Sequence, residues 1–282
     1  MHGHESQADW VLVVYCVAAV LAALAGGALP DLLKLTHTWL QVAVSFVAGF
    51  MLGLALLGMF PHAAAELGSV QKGCAFFLAG FVVMFLLQRF LPFHHHDVAE
   101  GSPPAPCGHT HSLAERVTRG LDWVSVTLGL AFHSIFDGVA MAAAVQTEQP
   151  GRTGLLGLGT ALAVVLHKPF SALAIATLMR ASGTAPHWRH IVSLAFSLVT
   201  PLGALLFYFG IGLSGDEHPA WAAAALALCA GTFLYIASAD LVPELQYHEH
   251  DRVKLSVALL AGLCVAVLIA VFAHPPHADC VH

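Results

Sequence analysis

Apolar positions run almost uninterrupted for about 20 residues at a time, the length a helix needs to cross a bilayer. Such runs lie near residues 10–29, 39–60, 74–92, 123–146, 153–179, 190–213, 219–242 and 253–273. They predict an all-α membrane protein of eight transmembrane helices. Residues 1–282 then form a single polytopic membrane domain with no room for a soluble one. Met1 to Asp9 is acidic and His-bearing, unlike the basic start of a cleavable signal, so the first helix is expected to be retained.

Polar residues break this pattern in two places. His133 and Asp137 interrupt the apolar stretch from Gly129 to Val145, and His167 and Lys168 interrupt the next one. An ionisable group in the hydrocarbon region costs several kcal/mol unless it faces a cavity or a partner, which makes all four functional candidates. The spacing His133-x-x-x-Asp137 puts both side chains on one helix face, a turn apart, able to converge on one ion. Gly129, Ala131, Gly138 and Ala140 to Ala144 allow close approach by neighbouring helices, which predicts a central place for the fourth helix. Pro169 removes a backbone N–H beside His167 and predicts a kink there, with a carbonyl freed one turn back. Broken helices of this kind line midplane substrate sites in transport proteins.

Composition narrows the chemistry. The chain is 58% hydrophobic and 10% charged, against roughly 25% charged in soluble domains. Its net charge of −6 and scattered Lys and Arg exclude a nucleic-acid-binding face. The six cysteines form no C-x-x-C pair and predict no disulfide framework; four lie in spans, where packing is their expected role. Histidine, at 19 residues, outnumbers Lys and Arg together at 11. Imidazole is the commonest metal-binding side chain and titrates near neutrality.

Positive charge favours the cytoplasmic side of short loops. With the N-terminus outside, that side receives Lys34, Arg89, Arg116, Arg119, Arg180, Arg189, Arg252 and Lys254, and the other side only Lys72 and Arg152. Both termini are therefore expected to be extracytoplasmic, in the plasma or inner membrane of the cell. The loop 93–121, between the third and fourth helices, is expected to be flexible and cytoplasmic. Its His94, His95, His96, His109 and His111, with Asp97 and Cys107, are candidate labile ligands of a metal relay.

His133, Asp137 and His167 make a mixed nitrogen and oxygen set suited to Zn²⁺, with Fe²⁺, Mn²⁺, Co²⁺ and Cd²⁺ chemically permitted. Calcium and magnesium prefer oxygen alone. The structural alternative is that His133 hydrogen-bonds to a neighbouring helix while Asp137 pairs with Lys168.

With His133, Ser134, Asp137 and Gly138 in place, the fourth helix resembles the H-N-x-x-[DE]-G pattern of the ZIP (Zrt/Irt-like) family of divalent metal transporters. The second helix is similar through Gly49, Leu52, Gly53, Pro61 and His62, the sixth through Pro201 to Ala204, and the seventh through Gly231, Thr232, Phe233, Tyr235, Pro243 and Glu244. The fifth resembles a subgroup with a His-Lys-x-Pro-like sequence. The resemblance covers nearly the whole chain. It implies an inverted 3+2+3 arrangement in which the fourth and fifth helices hold the metal between two related bundles, and import toward the cytosol by alternating access. It also marks departures. Many members hold two metals bridged by a carboxylate on the fifth helix, where this chain has Lys168 and Ser171. Thr200 and Ser134 replace a frequent acid and asparagine. A single metal is expected, bound by His133, Asp137 and His167 with Ser171 or water, while Lys168 supplies compensating charge.

Asp240 and Glu244 are candidates for guiding the ion or pairing with Lys168, or Glu244 for capping a helix end. His62 is a candidate entrance ligand or an interfacial anchor. Tyr247 to Asp251 forms an exit cluster or a solvated turn, and His274, His277, Asp279 and His282 an outer collector or a loose tail. The expected partners are divalent metal ions, the lipid bilayer and, as an open alternative, a second copy of the chain. No enzymatic role is expected, but an intramembrane zinc hydrolase and a non-transporting metal sensor stand as competing classes.

Overall fold

The computed structural model describes residues 2–32, 37–90, 113–147, 157–211, 218–242 and 251–273. Helix α1 covers His2–Leu32. Helix α2 covers His37–Gly53, passes through a π-helical turn at Leu54–Met59 and continues as Phe60–Glu66. Then come α3 (Val70–Phe90), α4 (Leu113–Thr147), α5 (Leu158–Ala181) and α6 (Pro186–Ile211). Helix α7 is His218–Ile236 followed by a π turn at Ala237–Leu241, and α8 is Arg252–Ala273. Among the described residues, eight helices are long and apolar enough to cross a membrane, matching the eight predicted segments in order.

Helices outrun their apolar stretches at several boundaries, among them the starts of α1 and α4 and the end of α2. The loop expected over 93–121 ends earlier, because α4 is already helical from Leu113. Glu115, Arg116 and Arg119 break the apolar pattern there but are compatible with a helix, so loss of hydrophobicity marks the end of the membrane span and not of the helix. Helix α2 extends past its apolar run to Glu66. Pro61 falls in the first turn after the π segment, where its missing N–H and its ring are tolerated. Pro243 follows the α7 π turn at the same interval.

The outer surface is apolar. Val13, Val17, Leu78, Leu86, Leu198, Leu206, Leu260 and Leu268 are exposed, which suits lipid contact and would drive aggregation in water. Exposed Trp10 and Trp221 open two odd-numbered helices, and exposed Trp39 and Trp188 two even-numbered ones. Alternating spans put one pair at each interface, where indole prefers to lie. The chain is an integral multi-pass membrane protein.

Burial sorts the helices. The apolar windows of α2, α4 and α7 are 61–67% buried, those of α3 and α8 only 17%, so the first group forms the centre and the second the flanks. The flanking helices are fastened by glycine. A Cβ on Gly49 of α2 would lie 2.0 Å from the Leu259 carbonyl oxygen of α8, and one on Gly262 would lie 1.9 Å from that of Phe46. The α3–α7 pair repeats the device, with Gly80 against Leu228 and Gly231 against Phe77, both at 1.9 Å. The same sequence separation joins Gly49 to Gly231 and Gly80 to Gly262. Helix pairing repeats as well: α1 packs along α5 as α6 packs along α4. At one end, the Tyr208 hydroxyl of α6 donates to the Asp9 carboxylate of α1.

Candidate metal centre

Helices α4 and α5 meet at the core with their polar residues facing. Gly138 brings α4 onto α6, a Cβ there falling 2.0 Å from the Thr200 carbonyl oxygen, and one on Gly203 of α6 would fall 2.3 Å from that of Ile135. Asp137 is one residue from this contact and fully buried. Helix α5 runs unbroken through Pro169, whose carbonyl takes the close approach of Gly26 from α1. That contact fixes the turn carrying His167 and Lys168.

His133, Asp137 and His167 are all buried, and one ligand atom from each lies within 4.8 Å of the others. His133 Nε2 is 3.2 Å from His167 Nε2 and 3.3 Å from Asp137 Oδ1; His167 Nε2 is 3.3 Å from Asp137 Oδ2. A tetrahedral zinc ion with bonds of roughly 2.0–2.1 Å separates its ligand atoms by about 3.3 Å. The three side chains thus stand at ligand spacing. His167 Nδ1 is 2.7 Å from the Ala163 carbonyl oxygen, which can only accept, so Nδ1 carries the proton. In the neutral ring the Nε2 lone pair then points at the other two groups, the tautomer a metal requires.

Lys168 is the fourth ionisable member, wholly buried with Nζ 3.3 Å from Asp137 Oδ2. Its other side faces the Phe196 ring of α6, 4.9 Å from ammonium to centroid. Phe233 of α7 presents its ring to both imidazoles, centroid to centroid 6.3 Å from His133 and 5.9 Å from His167. Cys229, also on α7, is buried with its thiol 3.5 Å from the Phe136 carbonyl oxygen. Phe196 carries no local signal in the sequence, and Phe233 stands out there only within the seventh-helix resemblance, without a role at the site. Of the other cysteines in spans, Cys16 is half-buried, and Cys74 and Cys264 are exposed on the outer surface, so the expected packing role suits Cys229 best.

Other candidates fall outside the trio. Ser134 is buried but its hydroxyl donates to the Leu130 carbonyl of its own helix, at 2.7 Å. Ser171 is half-buried one turn beyond His167 and has no hydrogen bond to the trio among the described residues. His62 is half-buried near the end of α2. Asp240 lies in the α7 π turn, its side chain outside the description. Glu244, the histidines at 94–96, 109 and 111, and the C-terminal tail lie outside the described residues. Asp251, the last member of the expected exit cluster, is paired with Lys254 at 2.7 Å and accepts the Leu255 amide, which makes it part of the α8 start.

A family model described as ZIP Zinc transporter matches residues 107–270, more than half the chain and all of the trio. The chain belongs to the ZIP family. Its similarity extends to "Zinc transporter ZIP9-B" of Xenopus laevis, 29% identical over 195 residues, covering 67% of this chain and 59% of the relative. "Zinc transporter ZIP2" of Mus musculus is 29% identical over 206 residues, covering 69% and 64%. "Zinc transporter ZIP4" of Rattus norvegicus is 25% identical over 301 residues, covering 84% and 44%. The chain spans about three-fifths of the first of these ZIP relatives and under half of the last.

Proposed function

We propose that this ZIP-family chain moves divalent transition-metal cations, zinc foremost, across the membrane toward the cytosol by alternating access through one intramembrane site. The observation that carries this reading is the convergence of His133, Asp137 and His167, buried at the spacing of a tetrahedral ion, with the His167 tautomer fixed by a backbone carbonyl. Iron, manganese, cobalt and cadmium fit the same donor set less selectively. Names of the relatives support zinc as cargo.

In this reading the trio binds the ion and Ser171 or water completes the shell. Lys168 fills with one fixed charge the place where the family often puts a second metal ligand, so a single ion is carried. The repeated pairing of α1–α5 with α6–α4, and of α2–α8 with α7–α3, supports an inverted 3+2+3 arrangement that can rock about the α4–α5 site. His62 serves the outer approach, Ser134 lies behind the site, and Asp240, Glu244 and the histidine-rich loop receive the ion on release. Both termini then lie outside the cytosol.

Zinc uptake into vesicles reconstituted with pure protein is the test. Wild type should accumulate zinc with no other substrate consumed, and His133→Ala and Asp137→Ala should not. Wild-type uptake by those two variants overturns the site; no uptake by wild type favours a hydrolase or a sensor.

A further inference from the structure

We infer that Lys168 is a tethered counter-cation whose role is to let the cargo-free carrier return, so that no second ion has to accompany that step. This inference rests on the single-site carrier reading and deepens it. The ammonium is held between the Asp137 carboxylate at 3.3 Å and the Phe196 ring at 4.9 Å, and the whole residue is buried. Phe196 is itself buried, packed with Ala172, Ile175 and Met179. Both neighbours of the ammonium favour a cation: one by charge, the other through the negative face of its ring.

The sum of charges gives the consequence. Two neutral imidazoles, one carboxylate and one ammonium add to zero, so the site without cargo is neutral. A divalent ion raises it to plus two. With a neutral residue at 168 the same two states carry minus one and plus one. An alternating carrier has to change conformation in both, and an uncompensated charge in the dry centre costs several kcal/mol. Lys168 therefore favours the cargo-free state twice over. It removes the buried negative charge that would hinder the return step, and by repelling the cargo it weakens binding and promotes release. The family-typical device of a second metal ligand would instead hold cargo more firmly.

Two tracer measurements on reconstituted vesicles separate this role from a merely structural one. Net zinc uptake into zinc-free vesicles requires the carrier to return without cargo; exchange between zinc-filled vesicles and tracer outside does not. In wild type, internal zinc should accelerate tracer uptake by less than about twofold, since the return step is unhindered. In Lys168→Met the ratio of net uptake to exchange should fall roughly tenfold or more, with half-saturation at lower zinc, and Lys168→Arg should restore the ratio by restoring the charge. An unchanged ratio in Lys168→Met, or equal loss in the Met and Arg variants, overturns the inference. So does wild-type uptake strongly accelerated by internal zinc, which needs no variant to fold. Absence of both uptake and exchange in wild type would instead overturn the carrier reading beneath it.

Discussion

The seam between α4 and α5 and the seams that fasten α8 to α2 and α3 to α7 are built on opposite principles. At the first, four ionisable side chains meet in the buried core, with Asp137 within 3.3 Å of two imidazoles and an ammonium. At the others, glycine lets backbones approach until a carbonyl oxygen fills the place of a side chain. In a bilayer there is no hydrophobic drive between helices, and close packing of small residues supplies association. A buried polar cluster adds specificity at an energetic cost and is weak evidence for stability. The fold is thus held by its glycine seams, and the α4–α5 seam carries chemistry that packing alone would not select.

That division can be broken from either side. The largest effect should come from Gly231→Val, whose side chain would overlap the Phe77 carbonyl of the neighbouring backbone. We expect destabilisation of about 4 kcal/mol or more, seen as loss of monodisperse protein in detergent. Folded, thermally unchanged protein would contradict the packing account. Next, Asp137→Asn should remain folded while zinc uptake falls by about two orders of magnitude, the range in which even indirect partners of a metal act. A third effect is on pH. A ligand nitrogen has to be free of a proton to bind the ion, so protons compete with zinc for the trio and uptake should fall as the medium is acidified. Uptake that rises in acid would contradict the nitrogen ligands. The smallest effect should follow Phe233→Leu, which exchanges two edge contacts for aliphatic packing and should slow uptake only a few-fold without altering zinc content.

The same contrast explains what was legible in the sequence. His133, Asp137, His167 and Lys168 were visible because ionisable residues in apolar runs demand a reason, and helical spacing alone placed the first two on one face. The eight spans were visible as lengths of hydrophobic chain. The glycine seams were not, since Gly49 and Gly231 acquire their meaning only from the carbonyl that each meets on another helix. The start of α4 at Leu113 was missed because polarity and helix propensity diverge there. Phe196 was missed, and Phe233 was noted only within the seventh-helix resemblance, because long-range ring contacts leave no trace in local pattern. Ser171 was placed near the ligands by spacing, and the described contacts do not join it to them.

The central claim is that His133, Asp137 and His167 hold one ion. Zinc bound to purified protein, counted against an otherwise identical His133→Ala/His167→Ala variant, tests it most directly, because the loop and tail histidines contribute equally to both and cancel. The account predicts that the double variant retains one zinc fewer per chain than wild type. Equal zinc content, or a difference of two, would contradict it.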